Sequence, residues 1–403
     1  MLRVLCTVWS VRSHLVPLLP ALRALLTGGA DVLVVTTPAL AGEVAATGAR
    51  AVPMLRDPEG ASDGPDYGSP LSNALAAVQA AAGLRRRADE LIELAREFRP
   101  DVVIRDDTEF AGYLAAERLG LPLVCLAGAM SNALDPAAIS VVIDDYRRDL
   151  GLPALADPGG LYPGPVLDYL PEELSVAVHP PKRALRFRQP QWDEPDSALP
   201  ESVAAAPAGR PVVFAAIGTA WRTWREQPGG SRHGSGAQLG ARRKHGGRPG
   251  ESPEDAVRTL LDALSRVDCA ALVSTGGMDC AGMPRADHVT VRDLVPQRLV
   301  LQASALFCTH GGYNSIREAV RAGVPMLVRP STMDQPSNAE AVARLGLGSV
   351  TLGLGADELA DRIRQALADT ELAERAAWAR RRTLALPPVE TLPDVLHSEL
   401  LPA

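Results

Sequence analysis

Short runs of β-branched and apolar residues alternate with longer segments whose apolar positions recur at helical spacing. Arg3–Val8 reads as a strand, Leu15–Leu26 as a helix and Asp31–Thr36 as a second strand, which is a βαβ start. A long helical stretch follows over Leu71–Phe98, then a strand at Asp101–Ile104, a helix at Phe110–Leu119 and a strand at Pro122–Leu126. A second series opens with the strand Pro211–Ile217, the amphipathic helix Ala256–Arg266 and the strand Ala270–Ser274. It continues through a strand at Ala305–Cys308, a helix opened by Asn314 and Ser315 and closed by Gly323, and a strand at Val324–Val328. Helices over Asp357–Asp369 and Leu372–Arg382 complete it. Alternation of this kind predicts an α/β chain whose parallel sheets are covered on both faces.

At 403 residues the chain exceeds one typical core and suits two such domains. The stretch Ser197–Arg210, with Pro200, an alanine run and Pro207, has linker composition. The expected organisation is therefore a first domain over 1–200, a linker over 201–210 and a second domain over 211–385. The last segment, 386–403, is expected to cross back to the first domain, and two lobes imply a cleft. Asp57–Ser69, rich in Gly, Pro and Asp, reads as a mobile loop, and Asp135–Pro165 as mixed helix and loop; either could shape a substrate pocket. Between Trp221 and Pro253 glycine, arginine, serine and histidine dominate, so 221–253 reads as a disordered or surface insertion that cannot build core. His233 and His245 lie inside it without Cys or carboxylate companions, which makes a metal site there a poor reading.

The net charge of −7, with basic residues dispersed among acidic ones, argues against a nucleic-acid surface. Five cysteines, Cys6, Cys125, Cys269, Cys280 and Cys308, are an odd number without C-x-x-C spacing, and three sit in apolar strand-like runs. They read as reduced and buried, which fits a cytoplasmic protein. The apolar segment Leu2–Trp9 is too short to span a bilayer and lacks a signal-peptide cleavage pattern, so a soluble protein is expected.

The stretch Thr309–Asn338 carries the most chemistry. His310-Gly311-Gly312 is a turn in which glycines permit close backbone approach, and the helix start at Asn314 and Ser315 is an anion site suited to a diphosphate. Asp334-Gln335 emerges from the C-terminal end of the next strand, where ligands of open α/β sheets bind. These two side chains can serve sugar hydroxyls, or can reflect simple turn chemistry. His310 could donate to a phosphate or cap its turn, and Glu318 could accept from ribose hydroxyls or be an ordinary exposed helical glutamate. Gly218-Thr219 ends a strand and could lend an N–H and a hydroxyl to a phosphate, or form a tight turn with an N-cap.

His14, after the first strand and before the helix expected from Leu15, could be a general base, and is equally well a capping or packing residue. Asp106 would emerge on the same sheet edge, where a carboxylate could orient the imidazole. Asp107 and Glu109 compete for that role, and all three could be solvated loop or N-cap groups. No nucleoside-triphosphate loop, G-x-G-x-x-G after the first strand, H-E-x-x-H or G-x-S-x-G is present.

The run H-G-G-Y-N-S-I-R-E-A-V-R-A-G-V-P followed by D-Q-P-S-N-A resembles bacterial natural-product glycosyltransferases of the UDP-glycosyltransferase-like family. V-P-Q at Val295–Gln297, G-T at Gly218-Thr219 and R-D-D-T-E-F-A-G-Y-L-A-A-E at Arg105–Glu117 support it, and the likeness spans nearly the whole chain outside 221–253. The resemblance implies a GT-B fold, two Rossmann-like domains facing across a cleft, with acceptor held by the first and nucleotide sugar by the second. It implies His14 as catalytic base and Asp106 as its orienting carboxylate. It further implies a donor site built from Gly218, Thr219, Leu294, Val295, Gln297, His310, Gly311, Gly312, Asn314, Ser315, Glu318, Asp334 and Gln335.

The implied reaction inverts the anomeric carbon of a deoxysugar carried on a nucleoside diphosphate, expected to be thymidine diphosphate, as a hydroxyl of a secondary metabolite such as a polyketide attacks it. No cofactor and no metal are implied, the nucleotide sugar being a co-substrate. The implied partners are the donor and a small aglycone, without nucleic acid or stable membrane association, and a homodimer is left open. The sequence departs from many relatives in having Val11-Arg12-Ser13 before His14 in place of a G-H-G-H approach, no aromatic residue before Val295, and the 221–253 insertion. Alternatives are a catalytically silent nucleotide-sugar-binding homologue or auxiliary partner, and a transferase acting on lipid or cell-wall acceptors.

Overall fold

The structure, a computed structural model, describes residues 1–9, 11–55, 84–128, 132, 135–190, 197–218, 252–331 and 333–401. Thr219, the 57–69 loop, the first part of the 71–98 stretch and nearly all of 221–253, with His233 and His245, lie outside the described residues. The chain divides into two compact units, Met1–Pro190 with Ala385–Ala403, and Gln191–Leu384.

The first unit opens with β1 (Arg3–Thr7), α1 (Arg12–Thr27), β2 (Asp31–Val35), α2 (Pro38–Ala45) and β3 (Arg50–Val52). It continues with α3 (Leu84–Phe98), β4 (Val102–Asp106), α4 (Phe110–Leu119), β5 (Leu123–Leu126), α5 (Pro136–Asp149), β6 (Val166–Asp168) and β7 (Ala184–Arg186). The strands form one parallel sheet in the order β3-β2-β1-β4-β5-β6-β7. Alternation along β1 explains its two covered faces: Val4 and Cys6 join the core that holds α1, while Leu5 joins the core that holds α3 and α4. On α3, Leu84, Ala88, Leu91, Ile92, Ala95 and Phe98 are buried, the i, i+4, i+7 stripe of a helix laid on a sheet.

The second unit contains α6 (Glu201–Ala204), β8 (Val212–Ala216), α7 (Pro253–Ser265), β9 (Ala270–Ser274), β10 (Val289–Arg292), α8 (Gln297–Gln302) and β11 (Leu306–Thr309). Then come α9 (Tyr313–Ala322), β12 (Met326–Val328), α10 (Gln335–Arg344), β13 (Gly348–Val350), α11 (Ala356–Ala368) and α12 (Thr370–Leu384). Its parallel sheet has the order β10-β9-β8-β11-β12-β13, with Phe214 and Phe307 in register on adjacent strands and stacked at 5.0 Å. The Ser197–Arg210 stretch belongs to this unit, where α6 buries Val203 and lies against β9, so the division between units falls earlier, at Pro190. Helix α7 begins at Pro253, ahead of the expected Ala256, because Ser252 and Asp255 form a capping box, and the low-complexity stretch therefore ends before Ser252.

Helix α13 (Leu392–Leu400) returns to the first unit, where Val389, Leu392 and Leu396 are fully buried in the α1 core. A Cβ at Gly28 would lie 2.8 Å from Pro393 Cγ, so the end of α1 is fitted to this segment. All five cysteines are buried and unpaired, and burial pushes Cys125 and Cys308 up to about 12 and Cys269 up to about 11. Among the described residues no helix is long and apolar enough to cross a membrane.

In each sheet the winding reverses once, between β1 and β4 in the first and between β8 and β11 in the second. Loops leaving the carboxyl ends of strands on either side of such a point diverge, and the crevice they leave is where open α/β sheets take ligands.

Candidate active site

The first reversal carries His14 and Asp106. His14 lies within the first turn of α1, its N–H donating to Val11 O at 2.9 Å, and so does not precede the helix as its sequence suggests. Arg12 and Ser13 are exposed, so the turn shows no apolar pattern until Leu15 reaches the core. His14 Nδ1 is 2.6 Å from Asp106 Oδ2 and 3.4 Å from Thr108 Oγ. A carboxylate at Nδ1 holds the proton there and leaves Nε2 as the basic nitrogen.

Asp106 ends β4 and is buried, and its Oδ1 accepts from the Thr108 N–H at 2.8 Å and the Thr108 hydroxyl at 3.0 Å. Burial alone would raise this carboxyl; the His14 charge and contact, with the Thr108 and Asp107 hydrogen bonds, override it and hold it down at about 2. A carboxyl depressed in the fold contributes stability that is complete above its unfolded value near 4 and is lost as pH falls towards 2. Urea denaturation of the parent and Asp106→Asn across that window is expected to show the parent losing about 2 kcal/mol more than the variant. Equal acid sensitivity would mean that the pair is not formed.

The neighbouring carboxylates are also buried but committed elsewhere. Asp107 Oδ2 accepts from the Gly128 N–H at 2.9 Å, and Glu109 caps α4, accepting from the N–H groups of Ala111 at 2.8 Å and Gly112 at 2.7 Å. Burial raises Glu109 despite these donors. None of the three is a solvated loop group. His14, Asp106 and Asp107 place potential metal-ligand atoms within 4.8 Å of one another, the one such group among the described residues.

Arg105, fully buried on β4, underlies this loop. Its guanidinium donates to the carbonyls of Asp106, Asp107, Glu109 and Leu161 at 3.1, 3.1, 3.3 and 2.8 Å, with the rings of Phe110, Tyr113 and Tyr162 at 5.2, 5.6 and 5.4 Å. The sequence reading missed it. A signal was present: an arginine inside a buried strand, followed at once by three carboxylates and two aromatic residues, needs counter-charges and rings close by.

The second reversal carries the glycine turn. Gly218 follows β8 at φ +82°, and His310-Gly311-Gly312 follows β11 with Gly311 at φ +85°. The His310 ring stands between two glycines: a Cβ at Gly218 would fall 2.8 Å, and one at Gly312 2.6 Å, from its Nε2. His310 Nδ1 lies 3.4 Å from Ala216 O, and burial lowers its pKa, keeping the ring neutral. Because a carbonyl only accepts, that contact places the proton on Nδ1, and donation from Nε2 requires a second one.

Gly312 is the N-cap of α9 and supplies no side-chain cap, so the positive end of this helix dipole opens on the glycine turn, an arrangement that suits an anion. Asn314 Oδ1 accepts from the buried Arg317 at 2.8 Å. Gln297 Nε2 is 3.4 Å from Ser315 Oγ and donates to Glu318 Oε2 at 2.8 Å, with Arg298 3.7 Å from the other Glu318 oxygen. Glu318 is therefore buried and held, not the exposed helical glutamate that its position allowed. Gln335 turns its amide oxygen to the Ser331 N–H and hydroxyl at 2.9 and 3.0 Å, and Asp334 follows Met333, a non-glycine residue at φ +59°.

The structure thus groups Gly218, His310 and Gly312 in one cluster and Gln297, Ser315 and Glu318 in another. Val295 is half-buried just ahead of Gln297, and Leu294 is 59 % exposed, an apolar side chain left open in the loop between β10 and α8.

The chain is similar to several known proteins. Residues 258–397 match the family described as erythromycin biosynthesis protein CIII-like, C-terminal domain. Erythronolide mycarosyltransferase of Saccharopolyspora erythraea is 25% identical over 97% of this chain and 97% of its own length. NDP-glycosyltransferase YjiC of Bacillus subtilis is 24% identical over 64% of this chain, which spans 62% of that protein. Glycosyltransferase VinC, solved in complex with dTDP, has the same fold, with a TM-score of 0.71 at 23% identity over 98% of this chain and 99% of its own. Over residues 258–397 the chain matches that family, and its fold is GT-B, as in the solved glycosyltransferases it resembles.

Proposed function

We propose that this glycosyltransferase moves a sugar, with inversion, from a thymidine-diphosphate donor onto a hydroxyl of a secondary metabolite. The observation that carries the reading is the 2.6 Å pairing of His14 with Asp106 at the reversal of the first sheet. A module that only binds nucleotide sugar needs no base–carboxylate pair. Nε2 of His14 takes the acceptor proton as that oxygen bonds to the anomeric carbon, and the bond from that carbon to the diphosphate oxygen breaks on the opposite face. One displacement from the opposite face inverts the centre.

In the second unit the N–H groups at the start of α9, with His310, receive the leaving diphosphate. Its negative charge favours the second proton on His310, which turns Nε2 into a donor. These fixed dipoles fill the place that a metal holds in other transferases, so the reading includes no metal or cofactor. Leu294 and Val295 border the nucleobase, Glu318 the ribose, and Asp334 and Gln335 the sugar. The macrolide relative supports a secondary-metabolite acceptor, and dTDP in VinC supports the thymidine base.

A thermal-shift series with thymidine and uridine diphosphates tests the donor. At a hundredfold excess over Kd a bound nucleotide adds about 2.7 kcal/mol. We expect thymidine diphosphate to raise the melting temperature more than uridine diphosphate at equal concentration. The reverse order would overturn the assigned nucleobase.

A further inference from the structure

Asn338 lies one helical turn beyond Asp334 and is fully buried, yet it carries a polar amide. Its Nδ2 donates to two acceptors, Gly311 O at 2.9 Å and Asp334 Oδ2 at 2.6 Å, while its backbone N–H donates to Asp334 O at 2.9 Å. One amide group therefore touches both the glycine turn after β11 and the carboxylate that opens α10.

We propose that Asn338 is a positioning residue that locks the diphosphate turn and the sugar-contacting carboxylate into one unit, so that grip on the leaving group and choice of sugar are set together. The idea rests on the donor assignment made above. Its physical basis is the planarity of the peptide bond. The C=O of Gly311 and the N–H of Gly312 belong to the same plane and point in opposite directions. Holding the carbonyl against α10 turns the Gly312 N–H the other way, among the donors at the start of α9. Gly311, at φ +85°, has the Thr309 hydroxyl on its own N–H at 3.2 Å, so the turn is tied on both sides of this residue.

The second hydrogen of the same amide fixes the Asp334 carboxylate. Asp334 sits directly after the positive-φ Met333, so the amide hydrogen bond ties the carboxylate at the point where the backbone turns into α10. No other residue type of this size presents two hydrogens on one atom. Aspartate at this place would set an acceptor against two acceptors, and alanine would release both.

The test uses Asn338→Ala and the milder Asn338→Ser, which keeps one donor, with Asp334→Asn as control. Thymidine diphosphate and thymidine diphosphate glucose are titrated calorimetrically against each protein, and donor and acceptor KM are measured on the full chain. We expect the donor KM of both Asn338 variants to rise roughly tenfold or more with acceptor KM unchanged. The ratio of sugar-nucleotide to bare-nucleotide affinity is expected to fall about fivefold. A lower melting temperature with that ratio and the donor KM unchanged overturns the proposal, because a packing role alone would do this. If Asp334→Asn leaves the ratio unchanged, the sugar-contact assignment itself fails; if it lowers the ratio and neither Asn338 variant does, only the role of Asn338 falls.

Discussion

Replacing His14 by alanine is expected to lower turnover by about 10²–10⁴-fold while nucleoside diphosphate affinity stays within about twofold of the parent, since general-base catalysis supplies an effect of that size. The separation follows from where the groups lie. His14 and its partner Asp106 belong to the first unit, whereas the diphosphate turn, the Gln297–Glu318 pair and Asp334 belong to the second. The imidazole is a quarter exposed, and its loss leaves the buried Asp106 without that partner, so melting curves must accompany the kinetics to show that the variant is folded. Release of nucleoside diphosphate in the presence of a responsive acceptor measures the rate, and calorimetry measures donor affinity. Undiminished turnover would remove His14 from the role of base. Loss of nucleotide binding with loss of turnover would mean that His14 serves the donor instead.

Asp106→Asn separates the two functions of the carboxylate. Asparagine can offer its amide oxygen to Nδ1–H but bears no charge to stabilise the imidazolium, and it can equally present N–H₂ and push the proton to Nε2, where it blocks the base. The acid titration described above and this rate effect draw on the same contact, so they should appear or vanish together.

Much of this site was legible in the sequence because its residues sit at the ends of strands that announce themselves. Thr309 ends an apolar run and is followed by two glycines; Asp106 ends another. Local spacing carries such signals. It does not carry strand order, and so the reversal that brings β1 beside β4, and with them His14 beside Asp106, is a property of the assembled sheet. The strands β6 and β7 were invisible for a related reason: each is only three residues long, and the pairing of β6 with β5 and of β7 with β6 is stabilised across the sheet, not along the chain. Charged side chains misled in the opposite direction. Glu318 and Asp107 could each be read as solvated from their chemistry, yet each is buried because a distant part of the chain supplies its partner, as Leu161 does for Arg105. Asn338 went unweighed as the end of a motif, although an amide four residues after an aspartate on a helix is a geometric hint.

Gly312→Ala is the substitution expected to damage donor binding most for the smallest chemical change. At φ −63° and ψ 143° the backbone of Gly312 suits alanine, so the substitution carries no conformational penalty. What it adds is a methyl 2.6 Å from His310 Nε2, closer than a carbon can approach, so the ring must move. The ring cannot retreat freely, since Gly218 also lies against it, so near that a Cβ there would stand 2.8 Å from Nε2, and Ala216 O lies 3.4 Å from Nδ1. Crowding of this kind costs about 1–3 kcal/mol, and when the displaced group is also the phosphate donor the cost falls on binding, a loss of about 10–100-fold in nucleoside diphosphate affinity. Gly311→Ala is the contrasting case. There the backbone stands at φ +85° and the new methyl would meet Val328 Cγ1 at 2.6 Å, so the fold itself should weaken and the melting temperature fall. Calorimetric titration with thymidine diphosphate beside melting curves separates the two: Gly312→Ala should lose affinity at a temperature where the protein is still fully folded, whereas Gly311→Ala should show the larger fall in melting temperature. If Gly312→Ala binds as well as the parent, His310 does not touch the diphosphate, and the charge of the leaving group is met by the helix start alone.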